Sequence, residues 1–505
     1  MTKTCLFIKR LLPVFLIFLL FSCSQTGIIV NNEPASDENA ESVNDGASFF
    51  EQTQVLAALM ELPYPISYYD AGSVEAYKNI INEITAAFPS LKTTNALNSY
   101  IKRLLDIINS MGLALGDVPR VYVLTDSEIS DDYARAEIMI VDVQGKEYSK
   151  GTAASIKLRG NSTRGADKKP YTIKFEDGVS LLGMERSKKW VLLANAFDKT
   201  LLRNKMALDF AQRLDFTYSP ECEYTDVYIN SKYMGLYMLS EAVNEGNNRV
   251  ELDTDNGDFL LEHESDRNES GKIYVSTKQG MRFKICEPKS LTAGQLSSVR
   301  AYMLEIEAAI VTGEYDEFSR YIDVPSFIDY YVMMEFFKDV DGWYSSVYFY
   351  LKDGVIHAGP VWDFDLSCGN ASKTFNEDKY RSYWNAPGYG TGSGDSADAI
   401  WMQFGWFNLL MQNTRFNLEV REKFLQLQPY IKNLYEDNEL GQNRINALIV
   451  EYRDAIERNN ELWDITKAGG VCELKPFADY RTNVEYFRDW LSRRNTFLLN
   501  YFGLN

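Results

Sequence analysis

At Val118 the hydrophobic pattern of this chain changes its period, and that change constrains the fold more than any other feature. Before it, Val74, Tyr77, Ile81, Ile84 and Phe88 recur on one helical face, and Pro89 marks a stop. Leu97, Ile101, Leu104, Ile108 and Met111 repeat the pattern on a second helix. After it the alternation is two: 120–124, 136–143, 154–158 and 170–175 read as strands. A helical stretch is expected over 200–214, then a hairpin of 226–229 with 234–240, turned at Asn230-Ser231. From Leu291 the pattern is helical again, broken by a hairpin at 346–362 and closed by amphipathic stretches at 441–464 and 477–501. A β-rich segment followed by a helix-rich one, without internal repeats, predicts an α+β fold.

The chain begins with an export pattern. Lys3, Lys9 and Arg10 form a basic region and residues 11–21 an apolar run too short to span a membrane comfortably. The run ends at Leu20-Phe21-Ser22-Cys23, which resembles a bacterial lipobox, so Cys23 is expected to carry a lipid that anchors an exported protein to the membrane. The expected organisation is a signal peptide at 1–22, an acidic tether at 23–50, a small helical module at 51–116 and the main domain at 117–505. The module reads equally as a spacer or as an extension of the next domain. Cys222, Cys286, Cys368 and Cys472 show no CxxC pairing and read either as up to two disulfides or as buried thiols.

Charge narrows the chemistry. A formal net charge of -19 argues against a nucleic-acid partner, and two histidines leave little room for zinc sites or Ser-His-Asp triads. Against this acidity, basic residues cluster on two adjoining strands. Lys157 and Arg159 share one strand face, Thr172 and Lys174 another, joined through Arg159-Gly160-Asn161-Ser162-Thr163. Small residues let backbone N–H groups approach, and cations supply charge, so a phosphate is one natural partner. A solvated face balanced by nearby carboxylates is the other.

A second constellation is acidic. A helix ending near Lys338 leads to Asp339-Val340-Asp341-Gly342, and a hairpin turned at Lys352-Asp353-Gly354 leads to Asp363-Phe364-Asp365. Pairing about that turn should set Asp341 across from Asp363 and Asp365. Converging carboxylates need a cation or shared protons, and oxygen ligands suit Mg²⁺ or Mn²⁺. Helix, acidic loop, hairpin, acidic loop is also the order used by protein kinases. Turn and cap aspartates are the plainer reading.

Several blocks in order resemble the CotH kinase family. They are Arg159-Gly160-Asn161-Ser162-Thr163, Lys168-Lys169-Pro170-Tyr171-Thr172-Ile173-Lys174-Phe175, Trp190 to Asn195 with Asp198, Arg203 and Asn204, Tyr228 to Glu241, and Gly359 to Asp365. The likeness continues at Arg458-Asn459-Asn460 and Trp490 to Arg494. The resemblance implies an atypical protein-kinase-like fold in two lobes, about 117–245 and 246–505, that binds ATP and a divalent metal and phosphorylates Ser or Thr of partner proteins. It implies that Asp341 orients the acceptor hydroxyl and that Asp363 and Asp365 hold the metal. Ser346 stands where kinases place a second metal ligand, an Asn. Lys174 or Lys169 takes the phosphate-binding lysine role, Arg159 and Ser162 lie at the nucleotide, and Glu241 sits at the hinge. The expected function is a surface-anchored kinase acting on exported or cell-surface proteins. A non-catalytic display or adhesion protein, and a transferase using Asp363-Phe364-Asp365 as a metal site, are the alternatives.

Overall fold

The computed structural model describes residues 49–60, 69–111, 116–264, 268–340, 342, 345–371, 396–438, 440–468 and 476–504. The expected signal segment, Cys23, most of the tether, Asp341 and Cys472 lie outside the described residues. The chain divides into two compact units, Met1–Gly116 and Asp117–Asn505.

In the first unit, α1 (Phe49–Leu59), α2 (Ala71–Ala87) and α3 (Thr94–Ser110) are helical. Asp70 and Thr93 cap α2 and α3 by accepting the N–H groups of Ser73 at 2.9 Å and Ala96 at 3.3 Å. Their core is Leu56, Tyr77, Ile80, Ile84, Leu97, Ile101 and Leu104. Ile80 belongs to this face, whereas Phe88 is 42% exposed because α2 has already given way to a tighter turn at Phe88-Pro89.

The second unit begins with β1 (Arg120–Leu124), β2 (Ala134–Val141), β3 (Glu147–Leu158), β4 (Tyr171–Leu181) and β5 (Met184–Leu193). A short helix α4 (Arg203–Ala211) precedes β6 (Cys222–Ile229) and β7 (Lys232–Glu241). These seven strands close into a barrel in the order β1-β2-β3-β4-β5-β7-β6, sealed by parallel pairing of β1 with β6. Ile156, Ile173 and Trp190 are cross-strand neighbours, and each is fully buried. Burying such large apolar side chains contributes about 1.5–3 kcal/mol each.

Three further strands follow: β8 (Phe259–His263), β9 (Tyr274–Ser276) and β10 (Arg282–Glu287). Then come α5 (Ala293–Thr312), α6 (Tyr315–Phe318), α7 (Val324–Phe337), and the hairpin of β11 (Val347–Lys352) and β12 (Val355–Ala358). The hairpin joins β8 in a five-stranded sheet of order β12-β11-β8-β10-β9. Sequence alternation missed β8 to β10. Phe259–His263 is buried at every position, so no polar face marks it as a strand. The hairpin turns on Asp353-Gly354, both at positive φ, as a two-residue connection demands. Its second strand stops at Ala358 rather than running to 362. Pro360 follows, with no N–H to extend the ladder.

The chain ends in helices α8 (Gly405–Leu410), α9 (Thr414–Gln426), α10 (Gln428–Tyr435), α11 (Arg444–Glu451), α12 (Arg453–Leu462) and α13 (Tyr480–Phe502). The stretch expected as one amphipathic run at 441–464 is two helices, because Tyr452 leaves helical geometry between them. The architecture is thus α+β, with the β-rich part closed into a barrel, a closure that local alternation does not encode. Among the described residues Cys222, Cys286 and Cys368 are free thiols, each pushed up to about 12 by burial. No described helix is long and apolar enough to cross a membrane.

Candidate active site

A cleft of about 910 Å³ opens where the outer face of β3, β4 and β5 meets the segment after β12. One wall is basic. Lys157 pairs across the strands with Thr172, and both line the cleft together with Arg159 and Lys189. Beyond β3 the chain turns at Gly160, where φ is +81° and a Cβ would lie 2.1 Å from Thr163 Oγ1. Only glycine suits that turn. Ser162 and Thr163 then begin a single tight turn in which Gly165 donates its N–H to Ser162 O at 2.9 Å.

Acidic residues line the same cleft. Asp363 and Asp365 line the cleft, with Ser346 and Glu262 beside them. Ser346 Oγ donates to Asp363 Oδ2 at 3.2 Å. Asp363, Ser346 and Asn195, all in the cleft wall, hold positive φ of 70°, 63° and 48°. Non-glycine residues in that region cost energy and persist where surroundings over-determine them. The surroundings are specific. Phe364 N–H donates to Asn204 Oδ1 at 2.7 Å, and Asn204 Nδ2 donates to Asn195 Oδ1 at 3.0 Å. Arg203, paired with Asp198 at 2.6 Å, donates through Nε to Ser367 O at 3.0 Å. Asn370 Nδ2 closes the loop onto Asp365 O at 2.6 Å. The start of α4 therefore clamps the loop that carries both carboxylates.

Burial raises the Asp363 carboxyl above its ordinary range, while Arg159 and the Ser346 hydroxyl pull it back. Burial also lowers Arg159, opposed chiefly by Asp363, and its guanidinium stands 5.4 Å from the Trp362 ring. Lys189 is pushed down to about 8 by burial and by repulsion from Arg159, Lys289 and Lys157. Lys284 differs. Burial works against its charge, but Glu262 at 2.6 Å and Glu269 at 2.9 Å hold it above its usual value.

The cleft thus gathers Arg159, Ser162, Ser346, Asp363 and Asp365 from the expected set. It does not gather Lys169, Lys174 or Glu241. Lys169 Nζ donates to Arg164 O at 2.7 Å, away from the lining. Lys174 is exposed, 5.9 Å from the Tyr133 ring. Glu241 is buried against Arg249 at 2.6 Å, and burial raises its carboxyl to about 7. Sequence reasoning missed Lys189, Asn204 as a clamp, Glu262 and Lys284. The signal for Lys189 was present, since it is the cross-strand partner of Lys174 on a strand that went unassigned.

The chain matches the family model described as CotH kinase protein over residues 156–498, two thirds of its length. It belongs to the CotH kinase family. It is also similar to the inner spore coat protein H of Bacillus subtilis (strain 168), at 25% identity over 217 residues. That similarity covers 42% of this chain and 58% of the relative, so the chain spans less than two thirds of it. The family match opens at Ile156 inside β3 and takes in most of the cleft lining, leaving the described helices α1 to α3 outside.

Proposed function

We propose that this CotH-family chain is a kinase-like, two-lobed enzyme that transfers the ATP γ-phosphate to Ser or Thr of exported or cell-surface proteins. The observation that carries the reading is one cleft lined both by the cations Arg159 and Lys189 and by the carboxylates of Asp363 and Asp365. A metal–phosphate complex answers both charges at once. The donor set fits a hard divalent cation: two carboxylates and a hydroxyl, all oxygen. The described residues contain no cluster of three His, Cys, Asp or Glu able to hold a metal alone. Mg²⁺ is usually bound through one or two carboxylates plus substrate phosphates and water.

In this mechanism Asp363 and Asp365, with the Ser346 hydroxyl, would hold the metal, whose bound charge offsets that of the phosphates. Arg159, Lys189 and the N–H groups of the turn at 160–165 bind the phosphate oxygens. Asp341 orients the acceptor hydroxyl and takes its proton. The Asn204 clamp keeps the Asp363 loop from relaxing during transfer. Two lysine variants separate this arrangement from the reading drawn from motif order. Lys189→Ala should raise the KM for ATP about tenfold, as expected for loss of a charge-assisted contact, whereas Lys174→Ala should stay within about threefold. The reverse ranking would return the phosphate role to Lys174.

The deciding experiment is transfer of labelled phosphate to protein by the purified chain with Mg²⁺ or Mn²⁺, beside Asp341→Asn. A general base or orienting group is worth about 10²–10⁴ in rate, so the variant should lose transfer while its ATP affinity changes only a few-fold. Equal rates would overturn the mechanism, and no transfer by the wild type would put the display protein ahead. We place the enzyme outside the cytoplasm, held by a lipid on Cys23. A palmitate analogue that labels wild type and Cys23→Ala alike would remove that anchor.

A further inference from the structure

A second, smaller cavity of about 240 Å³ meets the cleft at Asn195 and Ala196. It is below the ~300–1,000 Å³ of pockets that take drug-sized ligands. Lys168 lines it and is only 5% exposed. Its Nζ donates to Leu236 O at 2.5 Å and to Asn459 Oδ1 at 2.8 Å, and stands 4.7 Å from the Tyr237 ring. All three partners are neutral. Among the described residues no carboxylate pairs with this ammonium, and a buried charge without a counter-ion is costly.

Two further observations point the same way. Asn195 is 5% exposed, and its Nδ2 has no hydrogen-bond partner while its Oδ1 accepts from Asn204. Lys199 lines the same cavity and adds positive potential at Lys168. None of the described carboxylates in the wall hydrogen-bonds Lys168. Asp198 is taken by Arg203 at 2.6 Å, Asp464 by Lys467 at 3.0 Å, and Asp167 is exposed.

We propose that this cavity binds a tetrahedral oxyanion of the phosphate or sulfate class, seated on Lys168, Lys199 and the Asn195 amide. The inference stands apart from the kinase reading in Lys168 and Lys199, which have no role in it; Asn195 is shared through its bond to the Asn204 clamp. The anion is linked to the cleft through hydrogen bonds, because Asn195 holds Asn204 and Asn204 holds Phe364 beside Asp363. Binding also depends on pH. Burial first, and then repulsion from Lys199, push Lys168 down to about 7, with Asp226 opposing. A base with a lowered value is charged below about 7 and loses its charge above it, so affinity is present in acid and fades as pH rises.

Sulfate is the probe, because it stays doubly charged throughout this range and any pH dependence then belongs to the protein. Titration calorimetry on the full-length chain at constant ionic strength should show binding about tenfold tighter at pH 6 than at pH 8.5. At pH 6, Lys168→Met should weaken it at least tenfold. Lys199→Gln, at a partly exposed position, should weaken it several-fold and covers the case in which the first variant does not fold. Arg159→Ala and Lys189→Ala remove the cleft's own phosphate-binding cations, and the Lys168-sensitive, pH-dependent part of sulfate binding should persist in both. Competition by inorganic phosphate alone assigns a free anion; competition by a phosphoserine peptide assigns a carried phosphoryl group. Sulfate affinity that is flat with pH, unchanged in both Lys168→Met and Lys199→Gln, or lost only in the cleft variants overturns the proposal.

Discussion

Asp363→Asn is expected to abolish metal-dependent phosphate transfer while leaving the protein folded. The carboxylate lies in the acid wall of the cleft, 3.2 Å from Ser346 Oγ, on a loop fastened by Asn204 and Arg203. In phosphoryl transfer the metal and the groups that position it supply most of the rate, so its loss should lower turnover by ~10³ or more. Asparagine keeps the shape, and none of the backbone bonds that hold the loop involves the carboxylate. Burial already disfavours the charge here and raises the carboxyl above its ordinary range. Removing that charge relieves its burial cost but also takes from Arg159 its chief counter-charge, so the metal-free thermal midpoint should stay within a few degrees of the wild type. The two readings are a kinase assay over a range of Mg²⁺ and a melting curve without metal. Wild-type transfer at every Mg²⁺ concentration would remove Asp363 from the mechanism. A large drop in midpoint would make its role structural.

Arg494→Met should produce the largest loss of stability of any single substitution considered for this chain. Arg494 on α13 is fully buried and donates to Glu335 O, at 3.1 Å from Nε and 2.6 Å from Nη2. It also donates to Ala397 O at 2.8 Å, to Ala399 O at 2.6 Å and to the Glu335 carboxylate. That carboxylate in turn accepts the N–H groups of Trp401 and Met402, each at 2.8 Å. One ion pair thus fastens α13, α7 and the segment at 397–402. Removing one partner strands a buried charge, at a cost of about 3–5 kcal/mol. The thermal midpoint, followed by circular dichroism, should fall on the order of 5–10 °C. Replacing Glu335 by Met as well should recover part of the loss, because the stranded charge disappears with it. A single variant that melts within a degree of the wild type would show that the pair contributes nothing net.

Residues that act through their immediate neighbours were legible without any structure. The change of period at Val118 separates helices from strands because side-chain direction repeats locally, every 3.6 residues in one and every two in the other. Gly160 in its turn, Asp353-Gly354 in the hairpin, and the faces holding Lys157, Arg159 and Thr172 follow from a few adjacent residues. So does the proximity of Ser346 to Asp363, since one short hairpin separates them. What only the tertiary structure decided involves partners far apart in the chain. Alternation says which way Lys174 points but not whether it or Lys189 reaches the cleft, because that depends on how the barrel closes. The closing pair, β1 with β6, joins Arg120 to Asp226 across a hundred residues. Strand β8 was hidden because burial on both faces erases the polar half of its pattern. Its Glu262, with Lys284 on β10, reaches the cleft only once the sheet has assembled. Asn204 stands out in sequence only as part of a block resembling the CotH family, with no role attached. It becomes the clamp on Phe364 only because folding brings the two together, and a buried backbone N–H must find an acceptor wherever the fold supplies one.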